Sequence, residues 1–253
     1  MRSFIRRKRL GQHFLNNKRL AKKIVHFAGV EDTVVLEIGS GKGILTRHIA
    51  EKAKKVFAVE IDKNLVNILK TLNLLNIVII NENFLKLNLK DFGRPVIVGN
   101  IPYSITTPIL QTLVKQRNHF KRAVLTIQKE YGERILAKAG SRQFGSISLY
   151  LNYYFLIKKG FVISAKYFSP KPKVSSVVIS LQKKKLPFIL KNEDKFFQFI
   201  KGVFCYRRKS LKNAIINYLH KSPKGIKPDL LQKRPENLSL YDFRYVFKQL
   251  KLG

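Results

Sequence analysis

The chain has 253 residues, 45% of them hydrophobic, which is enough for one sizeable α/β domain plus a small second one and excludes global disorder. Fifty Lys and Arg against 15 Asp and Glu leave a net charge of +35. Such a field repels cations and draws polyanions, so nucleic acid is the expected partner and an anionic membrane surface the competing one. No apolar run approaches the roughly 18 residues of a spanning helix, and the one cysteine, Cys205, excludes a disulfide within the chain.

The first thirty residues carry nine Lys and Arg and no acid, a basic arm without the apolar stretch of a secretory signal. Leu20 to Ala28 has helical spacing, with Leu20, Ile24 and Phe27 on one face. Thr33 to Ile38 reads as a buried strand, and Gly39 to Gly43 as a turn into a helix ending near Ala53. Lys55 to Ile61, Ile77 to Ile80, Pro95 to Val98 and Ala123 to Ile127 read as further strands. They are separated by helical stretches at Leu65 to Leu72 and Ile105 to Val114, and another follows at Lys129 to Ala137. Strands alternating with helices predict a doubly wound, mostly parallel α/β sheet. Phe155 to Ile163 and Val174 to Leu181 read as a closing pair at the sheet edge. Lys183 to Pro187 reads as a linker. The expected domains are therefore residues 1–182 and a small helical domain, 183–253, with helices at Lys195 to Phe204, Ser210 to Leu219 and Tyr241 to Leu250. Cys205 falls in an apolar helical context and reads as a small buried hydrophobe. The lack of disulfides points to a reducing compartment, the cytoplasm.

Two stretches carry chemistry. In Leu36-Glu37-Ile38-Gly39-Ser40-Gly41-Lys42-Gly43 a strand runs into a glycine turn and a helix start, where a ligand can approach the backbone closely. The third glycine comes one residue too early for a dinucleotide fingerprint, and Gly43 stands where a P-loop needs Ser or Thr. A GxGxG turn with a later acid matches S-adenosylmethionine methyltransferases better. Glu60 ends the next strand, where a carboxylate can accept both ribose hydroxyls. Glu37 is a candidate to orient the cofactor's ammonium group or to cap local backbone. Asn83 is a candidate to meet an adenine amino group, or an ordinary turn asparagine. The second stretch, Asn100-Ile101-Pro102-Tyr103, ends the fourth strand. An amide oxygen and a carbonyl stiffened by proline can accept both N–H bonds of a planar amine, while the tyrosine stacks on its ring.

These parts together resemble the KsgA family of rRNA adenine dimethyltransferases. The likeness runs through Gly11-Gln12-His13-Phe14-Leu15, the glycine turn, Gly99 to Tyr103, Gln128-Lys129-Glu130, Phe168-Ser169-Pro170-Lys171-Pro172-Lys173-Val174, Arg207-Arg208-Lys209 and Arg234-Pro235-Glu236-Asn237-Leu238-Ser239. The resemblance implies a Rossmann-like fold and a monomer that uses S-adenosylmethionine, without a metal, to dimethylate N6 of two adjacent adenines in the terminal helix of small-subunit rRNA. It implies cofactor contacts from His13, Leu15, Gly39, Gly41, Glu60, Asn83 and Asn100. Asn100 and the Ile101 carbonyl would hold the target amine, with Pro102 fixing their aim. Tyr103 and Phe168 would flank the base, and Arg207, Arg208 and Lys209 would grip RNA phosphates. Phe168 also reads as a core plug between two strands, and the basic run as a solvated face.

The chain departs from the family pattern in three places. Asn83 stands where Asp is usual and loses the charge assistance of that bond. Ser104 stands where Asn is common, and Phe144-Gly145-Ser146 replaces a typical Tyr-Gly-Arg. Three other readings remain. Erm enzymes, which modify a large-subunit adenine and confer antibiotic resistance, share the turn, the clamp and Phe-x-Pro-Lys-Pro-Lys-Val. A non-catalytic RNA-binding assembly factor and a nicotinamide dehydrogenase are the alternatives from other classes.

Overall fold

A computed structural model describes residues 12–252 of the chain. The basic arm that precedes Gln12, including Gly11 of the N-terminal motif, lies outside the described residues. The chain forms two compact units. Among the described residues, one comprises 12–132 and 156–183, the other 133–155 and 184–252. Residues 133–155, expected in the first domain, thus group with the C-terminal helices.

The first unit is built on a seven-stranded sheet. Its strands are β2 (Val34–Ile38), β3 (Lys55–Val59), β4 (Ile77–Ile80), β5 (Val96–Asn100), β6 (Arg122–Gln128), β7 (Phe155–Ile163) and β9 (Ser176–Lys183), in the order β4-β3-β2-β5-β6-β9-β7. The five strands from β4 to β6 run parallel, and β9 joins β6 antiparallel. β9 and β7 sit together at the sheet edge, as their late position in the chain suggests. The central strands read as mostly apolar runs, broken by Glu37 in β2 and Thr126 in β6, because both their faces are covered. Val35, Val96, Val98 and Val124 share one core cluster with Ala21, Ile24 and Val25 of α1 (Lys18–Ala28) and with Leu45 and Ile49 of α2 (Ile44–Ala50). Leu36 and Ile97 alternate to the opposite face and are equally inaccessible. Each such side chain contributes roughly 1.5–3 kcal/mol on burial.

The helix ends follow from the sequence. Asn17 caps α1 by accepting from the Leu20 N–H at 2.9 Å, and Gly29 closes it in the left-handed region at φ +58°. Arg122, on β6, donates from Nε to the Ala28 carbonyl at 2.7 Å and from its guanidinium to the Gly29 carbonyl. A cation thus meets the negative end of the α1 dipole. The remaining helices of this unit are α3 (Lys63–Lys70), α4 (Thr106–Lys115) and the start of α5 (Lys129–Leu136). A two-residue strand, β1 (Phe14–Leu15), pairs antiparallel with β8 (Phe168–Ser169).

The second unit holds α6 (Ser146–Tyr154), α7 (Glu193–Phe204), α8 (Leu211–Leu219), α9 (Pro228–Gln232) and α10 (Leu240–Gln249). Its core is aromatic. Phe196 meets Phe247 edge-on at 5.3 Å, and Phe204 stacks on Phe243 at 5.8 Å. α6 falls largely in the mostly apolar stretch from Ile147 to Ile157, where only Ser148 and Asn152 interrupt the hydrophobic residues and the period of a buried helix is hard to see. Cys205 corrects an expectation. It is exposed, because it lies one residue past the last turn of α7. No described helix is long and apolar enough to cross a membrane.

Candidate active site

Strand order reverses between β2 and β5, whose neighbours β3 and β6 lie on opposite sides. In an open α/β sheet the carboxyl ends of the strands at such a reversal leave a crevice for ligands. The glycine turn after β2 and the Asn-Ile-Pro-Tyr segment at the end of β5 both fall there. Two adjoining clefts share Phe14, Gly39 and Asn100.

The first cleft is lined by residues that include His13, Glu60, Asn100, Ile101, Pro102 and Tyr103. The Asn100 side chain donates from Nδ2 to the His13 carbonyl at 2.8 Å. A carbonyl can only accept, so this bond fixes the amide's orientation, and no described residue donates to Oδ1. The Ile101 N–H is held by the Thr126 carbonyl at 3.0 Å, while the Ile101 carbonyl accepts no bond among the described residues. Two consecutive residues at the tip of β5 therefore each keep an oxygen that no described residue engages. The Tyr103 hydroxyl is tied to Ser176 Oγ at 2.9 Å, and its ring lies 5.4 Å from the His13 ring at 37°. Burial pushes the Tyr103 pKa upward, against the bond to Ser176, so it stays a neutral phenol. His13 Nδ1 faces the Pro170 carbonyl at 2.7 Å and must therefore carry the proton.

The second cleft is lined by residues that include Leu15, Glu37, Ser40, Gly41 and Lys42. Gly41 has φ +58°, and its N–H donates to Glu60 Oε2 at 2.8 Å. A Cβ there would sit 3.1 Å from the Phe14 ring. Gly41→Ala is therefore expected to be strained in backbone and in contact, lowering cofactor affinity at least tenfold in a calorimetric titration. Unchanged affinity would remove the close-approach argument. The other Glu60 oxygen accepts from the Asp62 N–H at 3.0 Å. Burial raises the Glu60 pKa, opposed by these backbone bonds. Glu37 is 1% exposed and accepts from the Thr46 hydroxyl at 2.6 Å. Burial outweighs that bond and raises its pKa to about 7, with the Glu60 charge adding to the rise.

These walls fit S-adenosylmethionine, a cation rich in donors. Two carboxylates face the clefts of an otherwise strongly basic protein. Gln12 Oε1 in the first cleft is buried without a hydrogen-bond partner among the described residues, and the Ser40 hydroxyl in the second lies against the Glu37 carboxyl. Such an orphaned acceptor suits a ligand's ammonium or hydroxyl donors.

Of the residues read from sequence, His13, Leu15, Gly39, Gly41, Glu60, Asn100, Ile101, Pro102 and Tyr103 come together here. Phe168 does not line either cleft. It is 3% exposed, opposite Leu15 in the β1–β8 pair and inside the main core cluster, which is a plug's place rather than an open stacking face. Asn83 also lies outside both clefts. Its Oδ1 caps the short turn that follows it, accepting from the Leu85 N–H at 3.0 Å. In the second unit, Arg207 is committed to structure. Its guanidinium pairs with Glu236 at 2.6 Å and donates to the Arg142 carbonyl at 2.6 Å. Arg208 and Lys209 are exposed. Two residues escaped sequence reading. Phe14 lines both clefts, and its signal was the motif that holds it. Thr46 partners Glu37, and nothing in the sequence marks it beyond its place in the helix after the turn.

Comparison with known proteins places the chain in a family. The family model described as ribosomal RNA adenine dimethylase matches residues 3–233. The chain is 36% identical over 267 aligned residues to "Ribosomal RNA small subunit methyltransferase A" of Staphylococcus aureus, covering 97% of this chain and 90% of the relative. A crystal structure of a dimethyladenosine transferase from Plasmodium falciparum superposes with a TM-score of 0.79 at 26% identity, covering 94% of this chain and 98% of that one. The 23S rRNA methyltransferase ErmE shares the fold, with a TM-score of 0.67 at 23% identity over 94% of this chain and 99% of that one. By the length of the family match and the identity to its relatives, the chain belongs to the ribosomal RNA adenine dimethylases.

Proposed function

We propose that this chain, acting as a cytoplasmic monomer, uses S-adenosylmethionine to dimethylate N6 of two adjacent adenines in the 3′-terminal helix of small-subunit rRNA, within an assembling particle. The observation that carries the reading is the Asn100 amide. Its nitrogen is bonded to His13, which leaves its oxygen, like the carbonyl of the next residue, Ile101, without a donor among the described residues, and both residues line the cleft that Glu60 also lines. The name of the Staphylococcus aureus relative supports the choice of subunit.

The N6 lone pair of adenine is delocalised into the ring and is a poor nucleophile. Accepting both N–H bonds at Asn100 Oδ1 and the Ile101 carbonyl draws the nitrogen towards tetrahedral geometry and frees that pair. The same two oxygens favour the positive charge that develops at nitrogen, and they need no reorganisation to do so. S-adenosylmethionine, when bound, supplies an electrophilic methyl group on its sulfonium. Glu60 is placed to accept its ribose hydroxyls, Glu37 to balance its ammonium, and Gly39 and Gly41 to let it lie against the backbone. His13 and Leu15 would close over it from β1, and the shared cleft wall at Asn100 brings amine and methyl donor together. The base must leave its helix to reach the acceptors, and Tyr103 is placed to stack on it. Asn83 would meet the adenine of the cofactor only through the lone pair left by its turn. Of the basic run, Arg208 and Lys209 are the members open to phosphate.

Undermethylated small and large subunits incubated with the enzyme and methyl-labelled cofactor test this. Label is expected in two adjacent adenines of the small subunit alone. Label in the large subunit would favour an Erm-type enzyme, and cofactor binding without transfer would favour an assembly factor. Tyr103→Ala is expected to lower transfer about 5- to 100-fold, the worth of one base stack, with cofactor affinity nearly unchanged. An unaltered rate would count against stacking.

A further inference from the structure

A cleft of about 500 Å³ opens in the second unit, between the segment leading into α7 and the C-terminal end of α10. Lys191, Arg244, Lys248 and Lys251 line it, and no acidic residue does. Phe247, 4% exposed, and Ile189, 86% exposed, give it an apolar floor and an apolar lip. The Arg244 guanidinium lies 4.7 Å from the centre of the Phe188 ring, and its Nε has no hydrogen-bond partner among the described residues. Nearby acids are spent elsewhere. Glu193 accepts from the Tyr154 hydroxyl at 2.7 Å, and Asp242 holds Ser239 at 2.7 Å in the cap of α10. Four cations around one concavity repel each other, and this arrangement rewards an anion that spans them.

We propose that this cleft is a second hold on RNA, independent of the cofactor site, taking a stretch of phosphodiester backbone with a sugar or base face against Ile189 and Phe247. The inference rests on the reading of the chain as an rRNA enzyme. Charge and shape together favour a nucleic acid strand. A point anion would leave the apolar lip unused, whereas successive phosphates spaced along a strand can meet several cations while the ribose and base cover Ile189. A guanidinium held over an aromatic ring adds a cationic group of the kind on which unpaired bases pack. The site differs from Arg208 and Lys209, which lie on the turn after α7, at the opposite end of that helix from Lys191.

The test uses the full chain and a fluorescein-labelled RNA hairpin with single-stranded flanks, followed by anisotropy across a salt series. Lys191→Gln/Lys248→Gln/Lys251→Gln neutralises the rim and leaves the Arg244–Phe188 stack in place. Lys212→Gln/Lys221→Gln/Lys224→Gln removes the same charge from exposed positions outside the cleft. The rim variant is expected to bind at least roughly tenfold more weakly at 0.1 M salt. The slope of log affinity against log salt should fall by about two, close to 0.7–0.9 per lost phosphate contact. The second variant should lose less than about threefold, and both should bind S-adenosylmethionine as the wild type does. Equal losses in the two variants would mean that only the overall field matters and would overturn the proposal, as would undiminished binding by the rim variant. Vesicles of phosphatidylserine and phosphatidylcholine form a further arm. If they bind the wild type, lose the rim variant and displace the hairpin, the cleft is a membrane contact and the proposal falls. A wild-type chain that binds cofactor but ignores the hairpin would sink the RNA reading itself.

Discussion

Replacing Asn100 with alanine is expected to lower single-turnover methyl transfer by roughly 10²- to 10³-fold, the usual consequence of deleting one preorganised group aimed at developing charge. The argument is geometric. The amide is anchored by its nitrogen to the His13 carbonyl, so the oxygen has no freedom to turn away, and the Ile101 carbonyl beside it cannot hold both N–H bonds alone. Cofactor affinity should change far less, since Glu60, the glycine turn and β1 contribute contacts that do not pass through this amide. Stability should drop by about 1 kcal/mol, because the His13 carbonyl loses its partner. Asn100→Asp separates the two jobs of the side chain. It keeps acceptors but sets a carboxylate oxygen against a carbonyl oxygen, so its orientation is lost and transfer should remain low. Transfer within fivefold of wild type in the alanine variant, with RNA and cofactor bound normally, would remove the acceptor mechanism.

The residues that could be read from sequence are those whose chemistry is local. Glycines at Gly39 and Gly41 mark a turn that bends to positive φ, and Asn100 to Tyr103 sit in one short segment at a strand end, so spacing alone exposes them. The central parallel strands were legible because burial on both faces leaves short runs dominated by Val, Ile and Leu, as in β5. What sequence could not show was pairing across distance. Nothing in Arg207 announces that Glu236 will claim it, and nothing in the spacing of Phe168 separates a stacking face from the core plug it becomes opposite Leu15. Two family segments that look independent, Arg207-Arg208-Lys209 and Arg234 to Ser239, are joined by the Arg207–Glu236 pair. A basic run therefore contains one structural member and two exposed ones. Residues 133–155 escaped the domain boundary for the same reason. The chain leaves the first unit and returns to it, and no linker composition marks either crossing.

The largest effect of pH should come from Glu37. Its carboxyl is 1% exposed, and burial, with the charge of Glu60, outweighs the hydroxyls of Thr46 and Ser40 and raises its pKa from the ordinary 4.5 to about 7. The sign follows from proton counting. Between those two values the folded chain holds a proton that the unfolded chain has released, so this group's contribution to stability is fully present below 4.5 and is lost as pH rises through 7. A gap of about 2.5 units corresponds to about 3 kcal/mol of stability lost across that window, at 1.36 kcal/mol per unit. Glu37→Gln retains an acceptor for Thr46 but cannot ionise, so denaturant melts of the cofactor-free variant should be flatter with pH between about 5 and 8. A cationic ligand in the same cleft reverses the preference and favours the carboxylate. Binding of S-adenosylmethionine near pH 6 should therefore release close to one proton. Calorimetry in buffers of different ionisation enthalpy would show this for the wild type and not for the variant. The variant should also lose roughly tenfold in cofactor affinity at pH 8, where the wild-type carboxylate is ionised, and less at pH 6, where it is not. Parallel pH–stability curves for the two proteins, with no difference in proton release, would mean that Glu37 does not titrate in this range and acts only as a hydrogen-bond partner for Thr46.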